Sequence, residues 1–181
     1  ILAAYYAKKM GLPIHKLICA SNSNNVLTEF LKTGVYNRNR EFHATISPSM
    51  DILISSNLER LLFDVTGHDT EKVAGWMKEL SETGRYQVDA ETLAAIQEVF
   101  AADYCDDKTT EETIAEVYKS THYLCDTHTA VAVNAYEQYL KETKDDTPTV
   151  VVSTASPYKF TDSVLKAVSK QYDPDMDEFA K

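Results

Sequence analysis

Residues 148–160 read Pro-Thr-Val-Val-Val-Ser-Thr-Ala-Ser-Pro-Tyr-Lys-Phe, and no other stretch restricts the fold so tightly. A run of β-branched residues bounded by prolines predicts a strand buried on both faces, the type found in parallel sheets. Parallel strands need long crossover connections, so the rest of the chain must supply helices. Ser153 and Thr154 then fall at the carboxyl edge of that strand, where ligands bind in open α/β sheets. Pro157 stops further pairing, and Val164, Leu165 and Val168 give a helical pattern after Thr161 or Asp162 as N-cap.

At 181 residues the chain has material for one core rather than two. A net charge of -10 argues against a broad nucleic-acid or anionic-membrane surface, so neither is expected as a partner. No apolar run is long enough to span a bilayer. Cys19, Cys105 and Cys125 are odd in number and lack a CxxC pair, which fits a reducing cytoplasm better than a disulfide scaffold or zinc knuckle. The chain opens at Ile1-Leu2-Ala3-Ala4-Tyr5-Tyr6 already helical and without an N-cap, and it reads as a piece of a longer polypeptide.

The first helix stops at Gly11-Leu12-Pro13. Leu17 to Ala20 reads as a short buried strand leaving through the polar loop Ser21 to Asn25, and Val26 to Lys32 as a helix closed by Gly34. Phe42 to Ile46 is a strand candidate that exits through Ser47-Pro48-Ser49-Met50-Asp51. Ser56-x-x-Glu59 is a capping box for a helix bearing Leu58, Leu61, Leu62 and Val65. Residues 67–121 read as a helical insert: Thr70–Thr83 after Asp69 or Thr70, Ala90–Ala101 after Asp89, and Thr110–Ser120 after the Thr109-x-x-Glu112 box. Tyr123 to Cys125 is a brief strand and Thr129 to Leu140 a helix. The tail from Tyr172, with Asp173, Asp175, Asp177 and Glu178, is acidic and reads as solvated. No internal repeat stands out. The layout is one α/β domain over 1–181, three-layered, with a mostly parallel sheet of about four strands flanked by helices.

Four inferred strands end in polar residues: Ser21-Asn22, Ser47-Ser49-Asp51, Asp126-His128 and Ser153-Thr154. Parallel strands would bring these clusters to one edge and make a pocket there. His122-x-x-Cys125-Asp126-x-His128 is a compact set of possible metal ligands, but alternation along a strand would separate His122 from Cys125. No metal is expected. GxSxG, P-loop and GxGxxG motifs are absent, and Lys159, just after a strand-end proline, reads as solvated.

Residues 1–13 (ILAAYYAKKMGLP), 17–38, 44–63 (with SPSMDI and SNLERLL), 123–139 and 150–160 (VVVSTASPYKF) together resemble the C-terminal part of threonine synthase. That family comprises pyridoxal-phosphate enzymes of the tryptophan-synthase-β-like fold, converting O-phospho-L-homoserine and water to L-threonine and phosphate. The resemblance implies pyridoxal 5′-phosphate as cofactor in the full-length parent. It puts the Schiff-base lysine and the phosphate-holding glycine loop upstream of Ile1, in the remaining N-terminal part of the same enzyme. No catalytic lysine is then expected here, and the chain alone is expected to be inactive. Thr154 matches the family hydroxyl at the cofactor's pyridine nitrogen. Asp126 and His128 match an acidic-Pro-His-x-Ala segment beside the cofactor, with Thr127 in place of the proline; Ser156 stands where many relatives have His. Ser49, Met50 and Asp51 match a strand-end segment bordering the active site, and Asn22 is a further candidate for the substrate site. The alternatives are another pyridoxal-phosphate lyase of the same fold, or a non-catalytic α/β assembly domain.

Overall fold

The computed structural model describes residues 1–169 and 172–177. The elements, in chain order, are α1 (Leu2–Lys9), β1 (Leu17–Ser21), α2 (Val26–Thr33), β2 (Val35–Asn37), α3 (Ser56–Val65), α4 (Thr70–Thr83), β3 (Arg85–Gln87), α5 (Ala90–Val99), β4 (Phe100–Tyr104), α6 (Asp107–Thr121), α7 (Thr127–Thr143) and α8 (Thr161–Val168). Short 3-10 turns occupy Pro48–Met50 and Pro157–Lys159. The class is α/β, with a parallel pair of strands flanked by helices. β1 pairs with β4 from Leu17↔Phe100 to Ser21↔Tyr104, and α2 and α7 both pack across this pair.

β4 lies inside the segment expected to be a helical insert. Its Phe-Ala-Ala-Asp-Tyr sequence favours helix locally, but pairing with β1 buries Phe100 and Ala102 and gives the backbone a ladder, which outweighs propensity. The same segment holds β3, which pairs antiparallel with β2.

The β2/β3 pair exposes a short repeat. Helices α2 and α4 both end in Thr-Gly, with Gly34 and Gly84 in the left-handed conformation at φ 75° and 76°. Thr33 and Thr83 each donate to the carbonyl four residues back and accept the amide two residues on. The strands that follow place Tyr36 opposite Tyr86, their rings stacked at 5.3 Å and both 1% exposed. Phe30 and Trp76 close this aromatic cluster. It belongs to the larger core, formed by α1 to α5 with β1 to β4; a smaller core joins Ile114 of α6, Cys125 of the link after it, Ala130 of α7 and Val164 of α8.

Three expected strands do not form. Around Phe42 to Ile46, side chains take the amides a ladder would use: Asn24 accepts from His43 N, Asp51 from Thr45 N, and Asp107 from Ile46 N. Tyr123 to Cys125 lies within the five-residue link, 122–126, between α6 and α7. Residues 149–154 are extended but make no backbone ladder among the described residues, leaving Val150 and Val152 86% and 66% exposed.

The caps shift by a residue or more where side chains compete. Ser55, not Ser56, accepts the Leu58 amide to start α3, and Asp69 and Asp89 cap α4 and α5. Asp106 begins α6 three residues before the Thr109 box. α8 starts at Thr161 without a side-chain cap. Asp173, Asp175 and Asp177 are exposed, whereas Glu178 lies outside the described residues.

Candidate functional site

Asp126 is the centre of the polar region. A carboxylate just before a helix accepts the first free amides and meets the positive end of the helix dipole. Asp126, fully buried, accepts His128 N at 2.9 Å and Thr129 N at 3.4 Å to cap α7. The His128 imidazole bonds the same carboxylate through Nδ1 at 3.1 Å, and the Thr129 hydroxyl donates to its second oxygen. Four donors thus replace the water that burial removed.

From this hub two arms leave. Thr129 Oγ1 lies 2.9 Å from Ser153 Oγ, which anchors the end of the extended segment and sets the exposed Thr154 next to it. His128 Nε2 accepts the Ser49 backbone amide at 3.1 Å, and the His128 ring packs on Phe160 at 4.8 Å. The turn at Pro48–Met50 is therefore held against the start of α7.

A second network holds the other side of that turn. Asn22, 1% exposed at the end of β1, donates to Asp51 Oδ1 at 2.7 Å, Thr45 Oγ1 at 2.8 Å and Ser47 Oγ at 3.1 Å. Asn24 donates to Asp51 Oδ1 at 3.0 Å, and Asp51 Oδ2 takes the Thr45 amide. Burial raises the neighbouring Asp107 carboxyl above its ordinary range, opposed by the Ile46 amide and helped by the charge of Asp51.

The four polar clusters inferred from the sequence thus converge, although not all as strand ends. Asn22, Ser49, Asp51, Asp126 and His128 form one connected frame, and Thr154 sits beside it; Met50 is half-buried in the turn. Asn24, Thr45 and Thr129 complete the frame and were not singled out as site residues. Asn24 and Thr129 lie two and three positions beyond Asn22 and Asp126, and that proximity to a capping carboxylate or carboxamide is the signal that would have found them.

The possible ligand set His122, Cys125, Asp126 and His128 is dispersed. His122 is exposed at the C-terminus of α6, with φ 60°. Cys125 is 1% exposed in the smaller core, and burial followed by the charge of Asp126 pushes its thiol up to about 11. Among the described residues no group of three or more His, Cys, Asp or Glu side chains is placed to hold a metal ion. Lys159 is exposed on the Pro157–Lys159 turn.

Residues 129–181 match the family model described as "Threonine synthase, C-terminal". Threonine synthase of Saccharomyces cerevisiae is 43% identical over 183 residues, covering 93% of this chain and 36% of the yeast protein. Human threonine synthase-like 1 is 40% identical over 169 residues, covering 93% of this chain and 22% of that protein. The crystal structure of PLP-bound threonine synthase from Brucella melitensis superposes with a TM-score of 0.86 at 40% identity, covering 96% of this chain and 37% of the other. The yeast threonine synthase structure gives the same TM-score at 39% identity, over 95% and 37%. The chain therefore spans about a third or less of the length of these relatives. Over nearly all its length the chain is thus similar in sequence and fold to a segment of these threonine synthases, and residues 129–181 match the model of that family's C-terminal part.

Proposed function

We propose that this chain forms one wall of the cofactor site in a pyridoxal-phosphate-dependent lyase, a threonine synthase that converts O-phospho-L-homoserine and water to L-threonine and phosphate. The observation that carries the reading is a pair of exposed hydroxyls, Ser153 and Thr154, presented beside a hydrogen-bonded frame whose centre, Asp126 with His128 and Thr129, is buried. Rigid support beneath an open polar edge is what a site needs to orient a ligand. The likeness to a PLP-bound threonine synthase from Brucella melitensis supports the choice of cofactor.

The residues present fit such a cofactor. Thr154 is exposed and its hydroxyl has no hydrogen bond among the described residues, so it is available to a pyridine nitrogen. When bound, the cofactor supplies an electron sink for negative charge developing on the substrate's carbon atoms. Thr154 would hold the ring nitrogen by one hydrogen bond; a hydroxyl cannot keep that nitrogen protonated as a carboxylate would. Asp126 holds the edge in place through Thr129 and Ser153. Ser49, Met50, Asp51 and Asn22 shape the substrate side.

The lysine that carries the cofactor, and the loop that binds its phosphate, are expected from the rest of a longer polypeptide upstream of Ile1; alone, the chain should be inactive. That remainder is also the proposed partner of the extended segment with exposed Val150 and Val152, whose backbone has no ladder here. With a chain charge of -10, binding a dianionic substrate would depend on local donors rather than long-range attraction. No helix among the described residues is long and apolar enough to cross a membrane, and three buried free cysteines agree with a cytoplasmic setting.

The test is phosphate release from O-phospho-L-homoserine by the full-length protein that contains this chain, with threonine identified as product. Release of both is expected. A folded, cofactor-loaded protein that releases neither would refute the assignment.

A further inference from the structure

The frame around Asp126 contains a histidine with both ring nitrogens committed. A backbone N–H can only donate, so the 3.1 Å contact from Ser49 N requires a lone pair on His128 Nε2. The ring hydrogen of the neutral imidazole is then on Nδ1, which faces Asp126 Oδ1 at 3.1 Å and Thr127 Oγ1 at 3.3 Å. The ring is 4% exposed, its own amide is tied to the same carboxylate at 2.9 Å, and one face is covered by Phe160.

We infer that His128 is a positioning residue and not a proton carrier: Asp126 fixes it as the Nδ1–H tautomer, and its Nε2 holds the Ser49 amide, and with it the Pro48–Met50 turn, against the start of α7. The inference rests on the reading of this edge as the substrate site. A general acid or base needs a nitrogen within reach of the reacting atom. Here Nε2 would first have to release the Ser49 amide, leaving that donor unpaired at a part-buried position. The turn's own bonds, Met50 N to Ser47 O at 2.9 Å and Asp51 N to Pro48 O at 3.1 Å, set its internal shape. Its placement comes from outside: from Asn22 at the end of β1, through Ser47 and Asp51, and from His128 at the start of α7. His128 thereby fixes where Ser49 and Met50 meet the substrate, a task of orientation that appears in binding more than in the chemical step.

The test uses the full-length protein with two variants. His128→Gln puts a carboxamide oxygen near the Nε2 position and keeps an acceptor for Ser49. His128→Asn keeps a donor near Nδ1 for Asp126 and loses that acceptor. The expected result is a KM about tenfold higher in His128→Asn with kcat little changed, the size of one lost hydrogen bond, and a KM close to the unsubstituted protein in His128→Gln. A hundredfold or larger fall of kcat in both variants, with one limb of the pH–rate profile gone, would make His128 a proton carrier and overturn the inference. A second measurement needs neither folding of a variant nor activity: histidine ring 15N resonances of the unsubstituted protein should show Nδ1 protonated and Nε2 bare. The Nε2–H tautomer would overturn the inference even if phosphate release is confirmed. Absence of phosphate release, with the Nδ1–H tautomer present, would instead remove the substrate assignment and leave the clamp standing.

Discussion

Removing the Asp126 carboxylate should damage this fold more than any other single polar change in it. In Asp126→Ala, α7 loses its N-cap, worth about 1 kcal/mol. The Thr129 hydroxyl and the His128 imidazole lose a charged acceptor, at about 1.5–3 kcal/mol for hydrogen bonds of that kind. Asp126 is fully buried, so water cannot replace it without opening the smaller core beside Cys125 and Ala130. Because the losses share one site they do not add fully, and about 3 kcal/mol is expected. Asp126→Asn is the informative control. Asparagine caps helices as well as aspartate, its oxygen can still accept His128 N, Thr129 N and Nδ1, and its NH2 can donate to Thr129 Oγ1, whose own hydrogen, given to Asp126 in the unsubstituted protein, is then free for Ser153 Oγ. Its cost should be about 1 kcal/mol, the difference between a charged and a neutral acceptor. Urea unfolding followed by circular dichroism would measure both. With a slope of about 2 kcal/mol per M, Asp126→Ala should lower the midpoint by about 1.5 M and Asp126→Asn by about 0.5 M. Equal shifts in the two variants, or a shift below about 0.3 M for alanine, would refute the hub reading.

The glycines give a matched pair. Gly84 and Gly67 both have positive φ, at 76° and 68°, but a Cβ on Gly84 would sit 2.1 Å from Asn39 Oδ1, whereas one on Gly67 meets nothing within 4 Å. Gly67→Ala should cost about 1 kcal/mol for left-handed backbone alone; Gly84→Ala should cost about 1 kcal/mol more, because Asn39 must leave its 2.7 Å bond to Thr83 O, and equal melting temperatures would contradict this. Asp89 is held down to about 2 by the Thr92 amide and by Lys72. A depressed carboxylate stabilises the fold above its unfolded value of about 4 and loses that contribution as pH falls through the folded value, so Asp89→Asn should flatten the acid limb of stability between about pH 4 and 2; an unchanged acid limb would dismiss the role. In the full-length protein, Thr154→Val keeps the volume and removes the hydroxyl, so turnover should fall about tenfold with the melting temperature unchanged; unaltered kinetics would take Thr154 out of the site.

Much of this molecule is legible in local chemistry. Helices α1 to α5 and α7 follow from apolar spacing and from glycines and capping residues at their ends, interactions that close within four residues. The α/β class followed from β-branched runs set between helices, and the polar clusters around Asn22, Asp51, Asp126 and Thr154 stood out because small polar residues at the ends of apolar runs have few other uses. Which runs become strands is a different matter. A strand exists only if another backbone meets its amides, and that partner is remote in sequence: Leu17–Ser21 acquires Phe100–Tyr104 from what reads as the end of a helix, while Val150–Val152, the strongest strand former by composition, finds none among the described residues. The same holds for the site. Residue types and their spacing say which side chains carry polar groups near the edge; that one carboxylate, Asp126, joins α7, His128, the Ser49 turn and Ser153 is settled by packing, because hydrogen bonds across 24 and 79 residues form only after helices and strands have come together.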